Sequence, residues 1–205
     1  GRELDVCLTR TRKFGCLHSF AFLGQEVSPD LRVFRDVADR YLNIEIEDCT
    51  SVLSVMRSVK SKAEQSMIRE ACEISRTSYD RMLRTVKPGM TEWDVMETLE
   101  HGYRSNGSRG PGYNSIVGAG LNGTVLHYTA NKAPIADGDL IVIDSGADFG
   151  GYTADVTRTI PASGRFTERQ REIYELVLRA LKASTKAVKA GCTFAPIDKA
   201  TRAIT

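Results

Sequence analysis

Two aspartates, Asp144 and Asp155, are the side chains of this chain best placed to do chemistry. They lie in residues 140–160, LIVIDSGADFGGYTADVTRTI, where apolar runs flank central glycines in the manner of a β-hairpin. The turn must include Gly150, because only glycine takes a positive φ cheaply. A turn centred on Phe149-Gly150 sets Asp144 directly opposite Asp155. A turn centred on Gly150-Gly151 makes the two diagonal neighbours. In both cases two-residue alternation puts both carboxylates on one sheet face, whereas a loop with an odd number of residues would separate them. Like charges so placed repel and destabilise the pair of strands. They can share a proton, or a cation can sit between them, and hard oxygen ligands suit manganese, magnesium or zinc. The plainer alternative is that Asp144 ends a strand and Asp155 is a solvated acid near a turn.

His127, in Val125-Leu-His-Tyr128, is open to two readings. It is either a half-buried histidine satisfied by backbone, or a donor to a substrate carbonyl or developing oxyanion. His18 and His101 have no supporting context and read as structural. Gly118-Ala-Gly-Leu-Asn-Gly123 fits the glycine pattern of dinucleotide sites. That pattern should open a helix, whereas Asn131 and Pro134 follow here, so the glycines are expected to serve tight turns and a nucleotide oxidoreductase is rejected.

The elements that must position these residues can be read from periodicity. Met67, Ala71, Ile74, Ser78 and Met82 recur at helical spacing, and Lys87-Pro88-Gly89 stops that helix. Thr91 caps the next one, with Val95, Met96, Leu99 and Tyr103 as its buried stripe. Residues 113–117, 140–144 and 152–160 read as strands. A last long helix opens with a Thr167/Gln170 capping box and is expected to turn Ile173, Leu176, Val177, Ala180, Leu181, Ala187 and Val188 inward. Helices, then strands, then a helix give an α+β class with an antiparallel sheet. Residues 1–59 read as mixed α/β, with a helix starting at Ser28-Pro29 and a strand near residues 44–47. They show no chemistry.

Composition excludes several classes. The 205 residues carry 28 Lys and Arg against 26 Asp and Glu, a net charge of +2 with the signs interleaved. That is no footprint for nucleic acid. Hydrophobic residues at 41% and charged residues at 26% are ordinary for a folded domain. The longest strongly apolar run is far shorter than the ~20 residues of a membrane span. Cys7, Cys16, Cys49, Cys72 and Cys192 are odd in number and lack CxxC spacing, which argues for free thiols in a reducing cytoplasm. The chain starts at Gly1 and stops inside what reads as an opening helix, so a fragment of a longer protein is expected.

Tyr113-Asn-Ser-Ile-Val117, Leu126-His-Tyr-Thr129, Asp139-Leu-Ile-Val-Ile-Asp-Ser-Gly146 and Gly151-Tyr-Thr-Ala-Asp-Val-Thr-Arg-Thr-Ile160 carry a family resemblance. Residues 87–92 and 166–174 carry it further. Over residues 57–205 the chain resembles the pita-bread metallopeptidases, and within them the Xaa-Pro aminopeptidase (aminopeptidase P) subgroup. The resemblance implies the first half of a pita-bread (creatinase/aminopeptidase) fold over residues 60–205. Residues 1–59 would be the tail of an N-terminal creatinase-like α/β domain. It implies two divalent ions, commonly manganese with zinc or cobalt as alternatives, held by two Asp, one His and two Glu. Asp144 and Asp155 map onto the two aspartates, the second bridging both ions. His127 maps onto a substrate-binding histidine, and Tyr113 and Thr157 onto positions beside the ligand carboxylates. The implied reaction removes the N-terminal residue from peptides with proline second, through a metal-activated water. The implied oligomer is a dimer or tetramer. After Glu175 the chain has no Glu or His, and Asp198 is its only acid. The other ligands and the catalytic acid/base are therefore expected beyond residue 205, and this chain alone is expected to be inactive. A prolidase, a creatinase-like hydrolase and a catalytically dead binding module on the same fold are the rivals. Retention of both aspartates argues against the last.

Overall fold

The computed structural model describes residues 3, 6–7, 10–17, 27–41 and 44–204, and His18 lies outside them. The chain divides into two compact units, Gly1–Ala63 and Glu64–Thr205. In the first, strands β1 (Lys13–Cys16) and β2 (Glu45–Asp48) pair in parallel. Helix α1 (Pro29–Arg40) starts where Ser28 predicts, its hydroxyl accepting from Leu31 N–H at 3.2 Å with proline in the first turn. Helix α2 (Thr50–Ser58) follows β2 and has no buried residue among those described.

The second unit holds the aspartates. Helices α3 (Lys62–Leu83) and α4 (Glu92–Ser105) precede a three-stranded antiparallel sheet of β3 (Ile116–Ala119), β4 (Leu140–Asp144) and β7 (Thr157–Pro161), with β4 central. Between β4 and β7 the chain turns through the short pair β5 (Asp148–Phe149) and β6 (Tyr152–Thr153). Helices α5 (Glu168–Ala187) and α6 (Phe194–Arg202) complete the unit and pack on each other.

The core forms where the apolar stripes of α3 and α4 meet one face of the sheet. Ile74, Tyr79 and Met82 from α3, Val95, Leu99 and Tyr103 from α4, and Val117, Ile141 and Ile143 from the strands are all buried. Each such large side chain contributes roughly 1.5–3 kcal/mol on leaving water. The two helices touch closely at Gly102, where a Cβ would lie 2.8 Å from Ser78 Cβ and Oγ. Both caps form: Thr91 with Asp94, and Thr167 with Gln170.

Met67 shares the helical spacing of the α3 stripe but is exposed, at 39%. Three expectations need correction. Tyr113 precedes β3 instead of lying in it, because the chain bends at residues 112–113. The strand expected at 152–160 is two short strands. The α5 stripe is uncovered: only Ala180 is buried, and Ile173, Val177 and Leu181 are about half exposed at 48%, 59% and 57%. Periodicity marks a helix's apolar face but not whether anything packs on it. Among the described residues no helix is long and apolar enough to cross a membrane.

Candidate metal centre

Gly150 and Gly151 both have positive φ, 63° and 84°, which is the geometry of a two-residue type I′ turn. The turn therefore centres on Gly150-Gly151, and it sets the register of everything behind it. Asp148 pairs with Thr153 and Phe149 with Tyr152. Ala154 N–H then donates to Ala147 C=O at 3.1 Å and Ser145 N–H to Val156 C=O at 3.2 Å. The ladder resumes with Asp144 opposite Thr157. Asp155 is thus the diagonal neighbour of Asp144. Gly146 has no room for a side chain, since a Cβ there would sit 1.9 Å from the Ala154 carbonyl oxygen.

Alternation sends Ile141, Ile143, Ser145 and Ala147 into the core and Asp144 to the other face, where it is half-buried. Asp155 and Thr157 are exposed. One hydroxyl ties the two acids together. Tyr113 Oη donates to Asp144 Oδ1 at 2.6 Å and lies 3.4 Å from Asp155 Oδ1. Those two distances cap the separation of the carboxylate oxygens at about 6 Å. Tyr113 reaches them because residues 110–112 are laid along the hairpin, with Gly112 N–H donating to Gly146 C=O at 2.8 Å. A Cβ at Gly112 would strike Thr153 Cγ2. Burial pushes the Tyr113 phenol up, and its hydrogen bond to Asp144 and that carboxylate's charge add to the shift. The hydroxyl stays protonated and acts as a donor.

The reverse side of the hairpin is held by hydroxyls that the sequence reading passed over. Tyr79 Oη donates to Val156 C=O at 2.7 Å and approaches Ser145 C=O at 3.2 Å, next in sequence to Asp155 and Asp144. Tyr103 Oη donates to Ser145 Oγ at 3.1 Å, and Ser145 Oγ meets Ser115 Oγ at 2.9 Å. Ser115 Oγ donates to Glu100 Oε1 at 2.8 Å. A carboxylate only accepts, so the chain of donors runs from Tyr103 through Ser145 and Ser115 to Glu100. Burial raises both tyrosine pKa values above the ordinary phenol range.

His127 sits elsewhere, exposed in a turn after a short 3₁₀ segment (Gly120–Thr124), with a left-handed φ of 54°. Gly120 opens that segment with a left-handed φ of 54°, and Gly118 at the end of β3 packs against it, since a Cβ there would lie 2.8 Å from the Asn122 backbone. Among the described residues no three His, Cys, Asp or Glu side chains gather into a group able to hold a metal ion. The structure thus brings Asp144, Asp155 and Tyr113 together, places Thr157 across from Asp144, and leaves His127 outside that cluster. His101 is exposed on α4, its Nε2 3.2 Å from Ser105 Oγ.

The segment carrying His127 is organised by Glu92, which is fully buried. Its Oε1 accepts from Ala119 N–H and Asn122 Nδ2, both at 2.9 Å. Its Oε2 accepts from Tyr128 Oη at 2.8 Å and Ala133 N–H at 2.9 Å. Burial acts to raise this carboxyl's pKa, but the four donors outweigh it and hold the pKa below the ordinary value. Beside it, Asn131 Oδ1 accepts from Val117 N–H at 2.9 Å and its Nδ2 donates to Ser115 C=O at 2.8 Å.

Residues 66–205 match the model of metallopeptidase family M24. The chain belongs to that family. It is 42% identical over 144 residues to Xaa-Pro aminopeptidase of Escherichia coli strain K12, a match that covers 70% of this chain and 33% of that protein. It overlays proline aminopeptidase P II from Yersinia pestis with a TM-score of 0.85 at 32% identity, covering 99% of this chain and 47% of that one. A zinc-substituted E. coli aminopeptidase P in complex with product overlays with a TM-score of 0.78 at 35% identity, covering 89% and 43%. The chain thus spans a third to a half of the length of these relatives. These are pita-bread proteins, so the expected fold class stands: α+β with an antiparallel sheet, covering about half of that fold. Membership of M24 implies divalent metal ions. The donors at hand fit as part of such a site: two hard carboxylates on one face, with a protonated hydroxyl orienting one of them.

Proposed function

We propose that this chain contributes the aspartate half of a binuclear metal centre in an exopeptidase that removes the N-terminal residue from peptides with proline second. The observation that carries the reading is the hydroxyl of Tyr113 set between Asp144 and Asp155. A sheet gains nothing from two like charges on adjacent strands, whereas a pair of divalent ions turns them into ligands. Manganese is the preferred metal, with zinc and cobalt as alternatives. When bound, such ions supply Lewis acidity and lower the pKa of a water.

The chain's own side chains then have distinct tasks. Asp144 and Asp155 would hold the ions. Tyr113 holds one oxygen of Asp144 by its hydrogen bond and leaves the other free to face a cation. Thr157 flanks Asp144 on the partner strand. Tyr79 and the Tyr103–Ser145–Ser115–Glu100 chain keep the hairpin from shifting under the charge. His127 donates to the substrate carbonyl next to the scissile bond. The remaining ligands and the acid/base are supplied from outside residues 1–205, and residues 1–59 are the tail of a creatinase-like domain. The full-length protein acts in the cytoplasm as a dimer or tetramer.

The test is release of the first residue from an Xaa-Pro peptide by the full-length gene product with added manganese. An Xaa-Ala peptide serves as control. Cleavage of the first peptide alone is expected. No cleavage with manganese, zinc or cobalt refutes the reading, and so does turnover by residues 1–205 alone.

A further inference from the structure

Glu92 is a buried acid that no step above uses. It lies in the first turn of α4, where an acid ordinarily serves the helix dipole from the surface. Here it is withdrawn from solvent and all its hydrogen bonds go to one stretch of chain. Ala119 and Ala133 bind it through their backbone N–H groups, Asn122 and Tyr128 through their side chains. These four residues bracket His127, and Tyr128 is next to it. Asn122 Nδ2 also reaches Tyr128 Oη at 3.0 Å, so the two side-chain contacts brace each other.

The bracketed stretch contains the left-handed non-glycine residues. Among the described residues only two non-glycine positions have positive φ, His127 at 54° and Asn131 at 47°. Both fall between Ala119 and Ala133. Left-handed backbone at a side-chain-bearing residue persists only where its surroundings over-determine it. Glu92 holds the stretch at residues 119, 122, 128 and 133, on both sides of His127. The base of the stretch is fixed independently of the Glu92 side chain. Glu92 N–H donates to Ala133 C=O at 2.9 Å, Gly89 N–H to Ile135 C=O at 3.0 Å, and Ile135 N–H to Met90 C=O at 2.8 Å.

We propose that Glu92 is a positioning residue for His127: its buried carboxylate grips residues 119–133 at four donors and holds the histidine in its left-handed turn, facing substrate. This rests on the reading of His127 as a substrate contact. Glu92 touches no reacting atom and acts through Tyr128 and the strained turn.

Two variants separate positioning from mere stability. Glu92→Gln keeps the shape but puts an amide where donors converge. Tyr128→Phe removes the hydroxyl beside His127, with its bonds to Glu92 and Asn122, at a partly exposed ring, and leaves the carboxylate its other three donors. In the full-length gene product His127→Ala is expected to lower kcat on an Xaa-Pro peptide about 100-fold. Tyr128→Phe and Glu92→Gln are each expected to lower it about tenfold, the worth of a bond to a charged group. Manganese affinity, measured by titration calorimetry, is expected to stay unchanged in both. Combining either variant with His127→Ala is expected to cost nothing beyond His127→Ala alone, because residues acting through one contact are not additive. Amide hydrogen exchange across 119–133 in metal-free protein is expected to rise in Glu92→Gln. Multiplying losses in the double variants, wild-type kcat in Tyr128→Phe, or unchanged exchange in Glu92→Gln overturns the positioning role while leaving the exopeptidase reading intact. A silent His127→Ala removes the histidine's role, and the proposal with it. Peptide cleavage absent from the wild type is failure of the functional reading itself.

Discussion

Replacing Asp155 with Asn is expected to make the metal-free protein more stable and the metal-loaded protein less so. The sign follows from the geometry. Asp155 is exposed and its oxygen lies 3.4 Å from Tyr113 Oη, beyond the ordinary O–H···O reach of about 3.0 Å, so the amide forfeits little hydrogen bonding. Asp144 is the poorer choice, because its 2.6 Å bond to the same hydroxyl is lost with the charge. What the Asp155 variant removes is repulsion across at most about 6 Å. Two unit charges at that distance repel by ~0.7 kcal/mol in bulk water and ~2.8 kcal/mol at an effective dielectric constant of about 20. One carboxylate is exposed and the other half-buried, so ~1 kcal/mol is the working figure. For a domain of this size that is a rise of about 2–4 °C in Tm.

Metal is expected to reverse the order. A ligand present at 100 times its Kd stabilises the native state by about 2.7 kcal/mol, and an amide would be a poorer replacement for the carboxylate proposed here as a ligand. The assay is thermal or urea denaturation of the full-length gene product, wild type and Asp155→Asn, in chelator and in manganese. The metal-free gain is expected to fade at 1 M salt, where the Debye length is about 3 Å. A variant less stable than wild type in chelator, or one that manganese stabilises equally, refutes the reasoning.

Two further outcomes follow from the fold. The Glu92 carboxyl has its pKa lowered in the folded state, so it adds stability that is complete above the unfolded carboxylate pKa of about 4.3 and is lost as pH falls through the lower folded value. Urea denaturation of wild type across that acid range is expected to show this slope, and Glu92→Gln is expected to lack it. Gly102→Ala puts a methyl group 2.8 Å from Ser78 at the crossing of α3 and α4 and is expected to cost about 1–3 kcal/mol, read from the urea midpoint.

The hairpin was legible because glycine is the residue that gives turns away. The sequence allows two registers, and turn chemistry separates them: a type I′ turn needs positive φ at both central residues, which Gly150-Gly151 supplies and Phe149-Gly150 does not. The α4 stripe was legible for the same kind of reason, a strong period that ends in a buried face. The α5 stripe has the same period and is mostly exposed, and no local pattern distinguishes the two cases. Glu92 was invisible as a latch. Its partners lie 27 to 41 residues onward, and an acid in a first helical turn already has a sufficient local explanation. Tyr79 was invisible likewise, with its acceptor at Val156 77 residues away. Local patterns report what the chain does with its neighbours, and these groups act across folded distance.

The two faces of the hairpin explain how a repelling pair of acids is tolerated at all. On the core side every position from 141 to 147 that points inward is either apolar or a hydroxyl with partners, so that face favours one arrangement strongly. Ser75 Oγ accepts from Ala147 N–H at 2.9 Å and Tyr79 covers the Val156 carbonyl, which leaves the strands little freedom to slide. A slip of one residue would carry Ile141 and Ile143 out to solvent, a loss of roughly 1.5–3 kcal/mol for each side chain. That exceeds the ~1 kcal/mol of repulsion that a slip would relieve. The core face therefore fixes the register, and the register fixes the spacing of the carboxylates before any cation arrives. Preorganisation of this kind places the cost of assembling like charges in the folding of the domain rather than in the binding of the metal.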